Sequence, residues 1–294
     1  MKIENVTAVD SMVAAMRKGL MILLAFSFSF SVYSQAVTEI ITDYKGYWKS
    51  SSASNPVKPD NSHNLLAFTY NSTRYSTGVN DDLLSSHGEN FIPSDFWAMP
   101  VTSISGSINS NTKAGFGALY DGVYNGASNP APEYGITTYL VDGIKGLNIG
   151  TCIANLPVGT MSFAVQNLQM ASIGDGIPDI VVTQIADPSG SSFDRYEFVD
   201  ANGVRVGNYK DIVFTNIPVV GTWTADFYNA TNPFVLTSGF TQTDRPLRLW
   251  AADLSEFGIT ETNYHQIVGF RIHLCGNSDV AFVAYNNKSI SFQQ

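Results

Sequence analysis

The stretch Tyr196-Glu197-Phe198-Val199-Asp200-Ala201-Asn202-Gly203-Val204-Arg205-Val206 decides the fold class. Two short apolar-rich runs flank Asn202-Gly203. A period of two puts alternate side chains on one face of a strand. Asn-Gly supplies the positive φ angles of a two-residue type I′ hairpin turn. The pattern recurs where Thr138-Tyr139-Leu140-Val141 runs into Asp142-Gly143, and where Gly117-Ala118-Leu119-Tyr120 runs into Asp121-Gly122. Outward from these turns, strands are expected over 65–70, 114–120, 136–141, 160–165, 180–185, 195–199, 222–228, 247–251, 267–274 and 280–285.

Short strands between turn signals, with no long amphipathic helix, predict an all-β fold. The expected architecture is an antiparallel β-sandwich, jelly-roll-like, with long decorated loops and at most short helices. One short helix is expected at Asp253-Leu254-Ser255-Glu256, a capping-box pattern that Gly258 would terminate. Residues 50–63, 73–93 and 125–133 are polar and too long for hairpin turns, so they read as surface loops. Residues 35–294 read as a single sandwich domain; a split near Pro157 is the alternative.

Composition narrows the function classes. The chain has 294 residues, is 44% hydrophobic and only 14% charged, and so is not a disordered polyelectrolyte. A net charge of −9 argues against nucleic acid as a partner, because that affinity comes from cations neutralising phosphates. Four histidines and two cysteines do not make a zinc finger or an iron–sulfur site.

Arg17-Lys18 precedes the apolar run Gly19–Phe26, and Val32-Tyr33-Ser34 precedes Gln35. That order of charged, apolar and small residues is the anatomy of a secretory signal, expected over 1–34 with Met16 as an alternative start. The apolar run is shorter than the ~20 residues of a spanning helix. No membrane span is expected from Gln35 onward. The first 34 residues carry Lys2, Arg17 and Lys18 against Glu4 and Asp10, a net +1, which leaves −10 on residues 35–294. The expected product is an acidic exported protein, secreted or at the cell surface.

No residue pattern singles out a reaction. His63, His87, His265 and His273 lie in no recognisable catalytic context, so no catalytic residue is assigned. A secreted glycosidase needs two carboxylates about 5–10 Å apart; Glu133, Asp194, Glu197 and Asp226 are candidates among many acids. Export permits a Cys152–Cys275 disulfide, and burial of each as a small hydrophobe is the alternative. Asp175-Gly176-Ile177-Pro178-Asp179 resembles calcium loops of thrombospondin type 3 and EF-hand-like repeats, in which alternate carboxylates ligate the ion. Asp175 and Asp179 would be the ligands, although Ile173 and Ala171 stand where two further ligands are usual. A plain turn leading into a strand accounts for the same residues. Trp48 and Trp97 are candidate platforms for stacking a sugar, with core packing as the alternative; Trp223 and Trp250 read as core.

Three segments carry a wider resemblance: Ile41-Thr42-Asp43-Tyr44-Lys45-Gly46-Tyr47-Trp48-Lys49-Ser50, the Asp175–Asp179 motif with Val182–Pro188, and Asp279-Val280-Ala281-Phe282-Val283-Ala284-Tyr285-Asn286. In these the chain resembles the N-terminal module of large secreted surface proteins of gliding bacteria. Many of those carry a type IX sorting domain or a gliding-motility-associated C-terminal domain. The resemblance implies export and an adhesive or display role, and brings no catalytic motif. No separate sorting domain is read after the strand-like run that leads into Ser289–Gln294, so the expectation is either the leading piece of a longer or broken gene or export by another route. The leading expectation is a non-catalytic exported adhesin module that binds a glycan or a surface protein. A secreted carbohydrate-active hydrolase and a structural spacer are the alternatives.

Overall fold

Strands pair antiparallel throughout three sheets in the computed structural model, which describes residues 36–51, 55–120, 135–188 and 190–293. The expected signal over 1–34, the Asp121-Gly122 turn and the loop 125–133 lie outside the described residues. The first sheet has the order β2-β1-β3-β4 and comprises β1 (Val37–Thr42), β2 (Trp48–Lys49), β3 (Leu65–Tyr70) and β4 (Thr73–Ser76). A short helix, α1 (Asp81–Ser86), follows it, with Asn80 as its cap accepting from the Leu83 N–H.

The central sheet is built from β5 (Phe96–Ala98), β7 (Lys113–Gly117), β8 (Thr151–Leu156), β10 (Ile180–Gln184), β13 (Gly221–Asn229), β15 (Thr243–Ala252), β17 (Ser278–Val280) and β18 (Val283–Asn286). Its order is β17-β8-β7-β13-β15-β10-β18-β5, with β14 (Asn232–Leu236) hung on β13. The third sheet runs β12-β11-β16-β9-β19, and β6 (Ser103–Ile104) also pairs with β9. Its strands are β9 (Gly159–Leu168), β11 (Phe193–Val199), β12 (Arg205–Val213), β16 (Gly269–Leu274) and β19 (Ile290–Phe292). Pro157 lies between β8 and β9, where the chain leaves the central sheet for the third. Residues 35–294 form one compact unit.

The pleat explains the layering. Ile180, Val182, Trp250 and Ala252 of the central sheet pack with Phe163, Phe198 and Phe270 of the third. Their neighbours Val181, Leu249 and Ala251 point the other way, into a second core with Ile40, Leu65 and Phe68 of the first sheet. The central sheet is therefore covered on both faces, which is why β10 and the end of β15 read as nearly continuous apolar runs. Side chains fill the space over Gly115 of β7, where a Cβ would sit 2.6 Å from the Cys152 Sγ. The expected sandwich is thus present, extended by a third sheet. On the first sheet's far side, Ile41, Leu66 and Ala67 pack with Leu84 of α1.

Two local expectations are corrected. Residues 136–141 are not a strand: Ile136–Tyr139 form a helical turn, α2, because the buried residues Ile136, Tyr139 and Leu140 fall at i, i+3 and i+4. Gly143 accordingly leads into the short turn Ile144–Gly146 and closes no hairpin. Asn202-Gly203 does lie in the β11–β12 hairpin, but the last strand pair is Val199 with Arg205. The loop between them is five residues long, and of Asn202 and Gly203 only Gly203 has positive φ. The Asp200 carboxylate accepts from the Asn202 and Val204 N–H groups, so an Asx-type turn replaces the type I′ turn. The helix expected at Asp253 is a single 3-10 turn, Leu254–Phe257, with its capping box and a left-handed Gly258 in place.

Candidate functional site

The two candidate tryptophans differ in exposure. Trp48 is only 4% exposed; its Nε1–H donates to the Val57 carbonyl and its ring packs against Gly221. A ring so enclosed has no face for a ligand, so Trp48 is a core residue. Trp97 is 36% exposed on β5, at the edge of the central sheet. Its Nε1–H donates to Asp95, and the Lys145 ammonium lies 5.2 Å from its ring centroid while pairing with the same carboxylate at 2.6 Å.

The Asp175–Asp179 segment is held by a residue outside it. Both oxygens of Asp253 accept from this loop, from the N–H groups of Gly174 and Gly176, while Oδ1 also caps the Ser255 N–H. Asp175 turns back onto the Ile177 N–H, and the buried Asp179 accepts from the Leu254 N–H. Burial raises both carboxyls above their usual range, Asp179 strongly. The carboxylates thus meet backbone donors, and no group of three or more candidate metal ligands comes together among the described residues. Cys152 and Cys275 are free thiols and the expected bridge is not formed. Cys152 points into the core shared with the first sheet, whereas Cys275 follows β16 in the third sheet, its N–H donating to Asp194.

A different surface gathers charged and aromatic side chains. On β11, Tyr196 and Phe198 point into the core, so Phe193, Arg195 and Glu197 point outward. Antiparallel register sets Arg195 beside His273 and Asp211, and Glu197 beside Arg271. Glu197 Oε1 accepts from Arg271 Nε at 2.9 Å and Nη2 at 2.5 Å, and lies 2.7 Å from His273 Nε2. Burial works to raise the Glu197 pKa, but the hydrogen bonds from His273 and Arg271 and the Arg271 charge outweigh it and hold the carboxyl below its usual range. Arg195 makes a two-point pair with Asp211, at 2.7 and 2.8 Å, and its guanidinium stacks 3.7 Å from the centre of the Tyr209 ring.

A bulge shapes this face. Tyr196 pairs with Lys210 and Phe198 with Val206, so Glu197 alone opposes Gly207, Asn208 and Tyr209. Gly207 has φ +73°, and a Cβ there would run into the Phe257 carbonyl. Phe193, Arg195, Glu197, His273, Leu274 and Cys275 line a depression of about 440 Å³. Sequence reading placed His273 in a strand and counted Glu197 among many acids. The available signal was the alternation of aromatic or polar side chains at Phe193, Arg195 and Glu197, at Tyr209 and Asp211, and at Arg271 and His273.

Among the acids considered for hydrolysis, Asp194 and Glu197 lie on opposite faces of β11. Asp226 accepts from the Gln242 N–H, and Glu133 lies outside the described residues. Another carboxyl pair lines a cleft of about 210 Å³ together with Phe240 and Arg245. Burial pushes Asp279 up to about 7, against the opposing pull of the Asn155 N–H and Arg245. Asp187 is exposed and paired with Arg245 at 3.1 Å.

No family model, curated protein or solved structure matches the chain. No helix among the described residues is long and apolar enough to cross a membrane.

Proposed function

We propose that this chain is an exported, non-catalytic surface module of the adhesin kind, which binds a glycan or another surface component through the outer face of the third sheet. The Phe193–Glu197 depression carries the reading: an exposed aromatic ring stands beside carboxylate and guanidinium groups already fixed by one another. Aromatic faces stack on sugar C–H surfaces, and polar groups held in place by partners lose little entropy when a ligand arrives. Export rests on the charged-then-apolar segment before Gln35, and the likeness to surface proteins of gliding bacteria supports the same reading. A glycan array probed with the purified protein is the test. Signals lost in a combined Phe193→Ala and Arg195→Ala variant support the proposal. An array without a bound glycan, or binding indifferent to both changes, refutes it.

A second reading, a secreted carbohydrate-active hydrolase, is favoured by the Asp279–Asp187 cleft. There burial pushes the Asp279 carboxyl up to about 7, into the range that general acid–base chemistry uses, beside an Asp187 that pairs with Arg245. Polysaccharide turnover abolished by Asp279→Asn establishes it in place of the first.

A further inference from the structure

We infer that the depression on the third sheet takes a neutral sugar, gripped through two adjacent hydroxyls and without a metal ion; this rests on reading that face as the glycan site. The Glu197 side chain is 6% exposed and ionised. Its Oε1 already has Arg271 and His273, whereas Oε2 has no hydrogen-bond partner among the described residues. That oxygen opens to the depression, where an arriving hydroxyl can donate to it in place of water. Arg195 and Arg271 use Nε and Nη2 for their carboxylates and keep Nη1 uncommitted among the described residues. A hydroxyl both donates and accepts, so two neighbouring hydroxyls match a carboxylate oxygen flanked by guanidinium N–H groups.

Charge decides against an acidic sugar. Arg195, the arginine that lines the depression, is matched by Asp211, and Arg271 behind Glu197 is matched by that carboxylate, so among the described residues no unpaired arginine or lysine lines it, and the open Glu197 oxygen repels an anion. The donor set decides against calcium, which takes six to eight oxygens where the lining offers one carboxylate. Phe193, 42% exposed at the rim, supplies the apolar face for the ring's C–H surface. The volume, about 440 Å³, is that of a small-molecule pocket and suits one or two sugar units.

The experiment is an array of neutral and acidic oligosaccharides, followed by calorimetric titration of the best ligand into wild type, Glu197→Gln and Phe193→Ala. Phe193 is a surface residue, so its variant keeps the test meaningful if Glu197→Gln unfolds. A neutral ligand is expected, bound about tenfold or more weakly by each folded variant. Its affinity should change less than about twofold on raising salt to ~0.5 M or adding a chelator. Binding confined to acidic glycans and abolished by salt overturns the neutral-sugar inference and leaves the face as a glycan site. Neutral binding that neither variant weakens moves the site elsewhere. An array with nothing bound removes both the inference and the reading beneath it.

Discussion

Replacing His63 by Leu should make the protein markedly more resistant to acid. His63 is fully buried, both ring nitrogens lack hydrogen-bond partners among the described residues, and Tyr44 meets its ring edge-on at 6.0 Å. Burial alone pushes its pKa from 6.5 down to about 3. Below pH 6.5 the unfolded imidazole takes up a proton that the folded one refuses until about pH 3. The unfolded state then binds more protons, so stability present above pH 6.5 is lost as pH falls through that window. Each pH unit is worth about 1.4 kcal/mol, giving a deficit of about 3 kcal/mol near pH 4.5.

Leu has a similar volume and no proton to refuse. Near pH 7.5 the substitution exchanges two unsatisfied nitrogens for apolar packing and should be close to neutral, within about 1 kcal/mol. Urea denaturation of both proteins at about pH 7.5 and 4.5 isolates the effect, because every other titrating group is common to the two chains. The difference in unfolding free energy should move by about 3 kcal/mol in favour of His63→Leu on acidification. Parallel pH profiles would falsify the account and mean that the imidazole finds a proton acceptor in the native state.

The opposite sign is expected at Asp279, raised from 3.8 to about 7: its stabilisation is complete below pH 3.8 and lost as pH rises through 7. Asp279→Asn should remove a falling slope of about 1.4 kcal/mol per unit across that window in the same urea series. Asp253→Ala deletes the acceptor of three backbone N–H groups and should cost about 2–4 kcal/mol by denaturation, whereas Asp175→Ala, with one local bond, should cost under about 1. Because the loop's carboxylates already face backbone donors, the melting temperature should be the same in chelator and in millimolar calcium; a rise with calcium concentration would overturn that. Trp48→Ala should cost about 3–5 kcal/mol and Trp97→Ala under about 1, and equal melting temperatures for the two would contradict the burial difference.

The core strands were legible because burial writes itself into composition. Residues 65–70 match β3, and the apolar run at 180–185 matches β10, since strands covered on both faces must be apolar throughout. The first sheet's outer strand was not legible. Thr73-Arg74-Tyr75-Ser76 reads as loop, yet it is β4. Arg74 reaches Glu39 and Glu89, and Lys49 joins the same carboxylates, so the strand is stabilised by a charge network whose members are distant in sequence. The segment 136–141 failed for another reason. Its β-branched residues suggest a strand, but burial at i, i+3 and i+4 in the core outweighs that local preference.

The candidate site was hidden because it is made by register. Phe193, Arg195 and Glu197 show alternation, and so do Arg271 and His273, but nothing local says that Glu197 lies beside Arg271. One slip of a single residue would turn these charges inward and Tyr196 and Phe270 outward. Tyr196, Phe198 and Phe270 therefore position the polar face by fixing the register from within, their rings 4.9 to 6.3 Å apart. The Asp175–Asp179 motif follows the same logic in miniature. Its carboxylate spacing is visible in the chain, but the residue that organises it, Asp253, was read only as a helix cap. That cap reading was right and incomplete, since one carboxylate serves both the cap and the loop. Chemistry assigned to a short motif is therefore conditional on which distant acceptor reaches its backbone first.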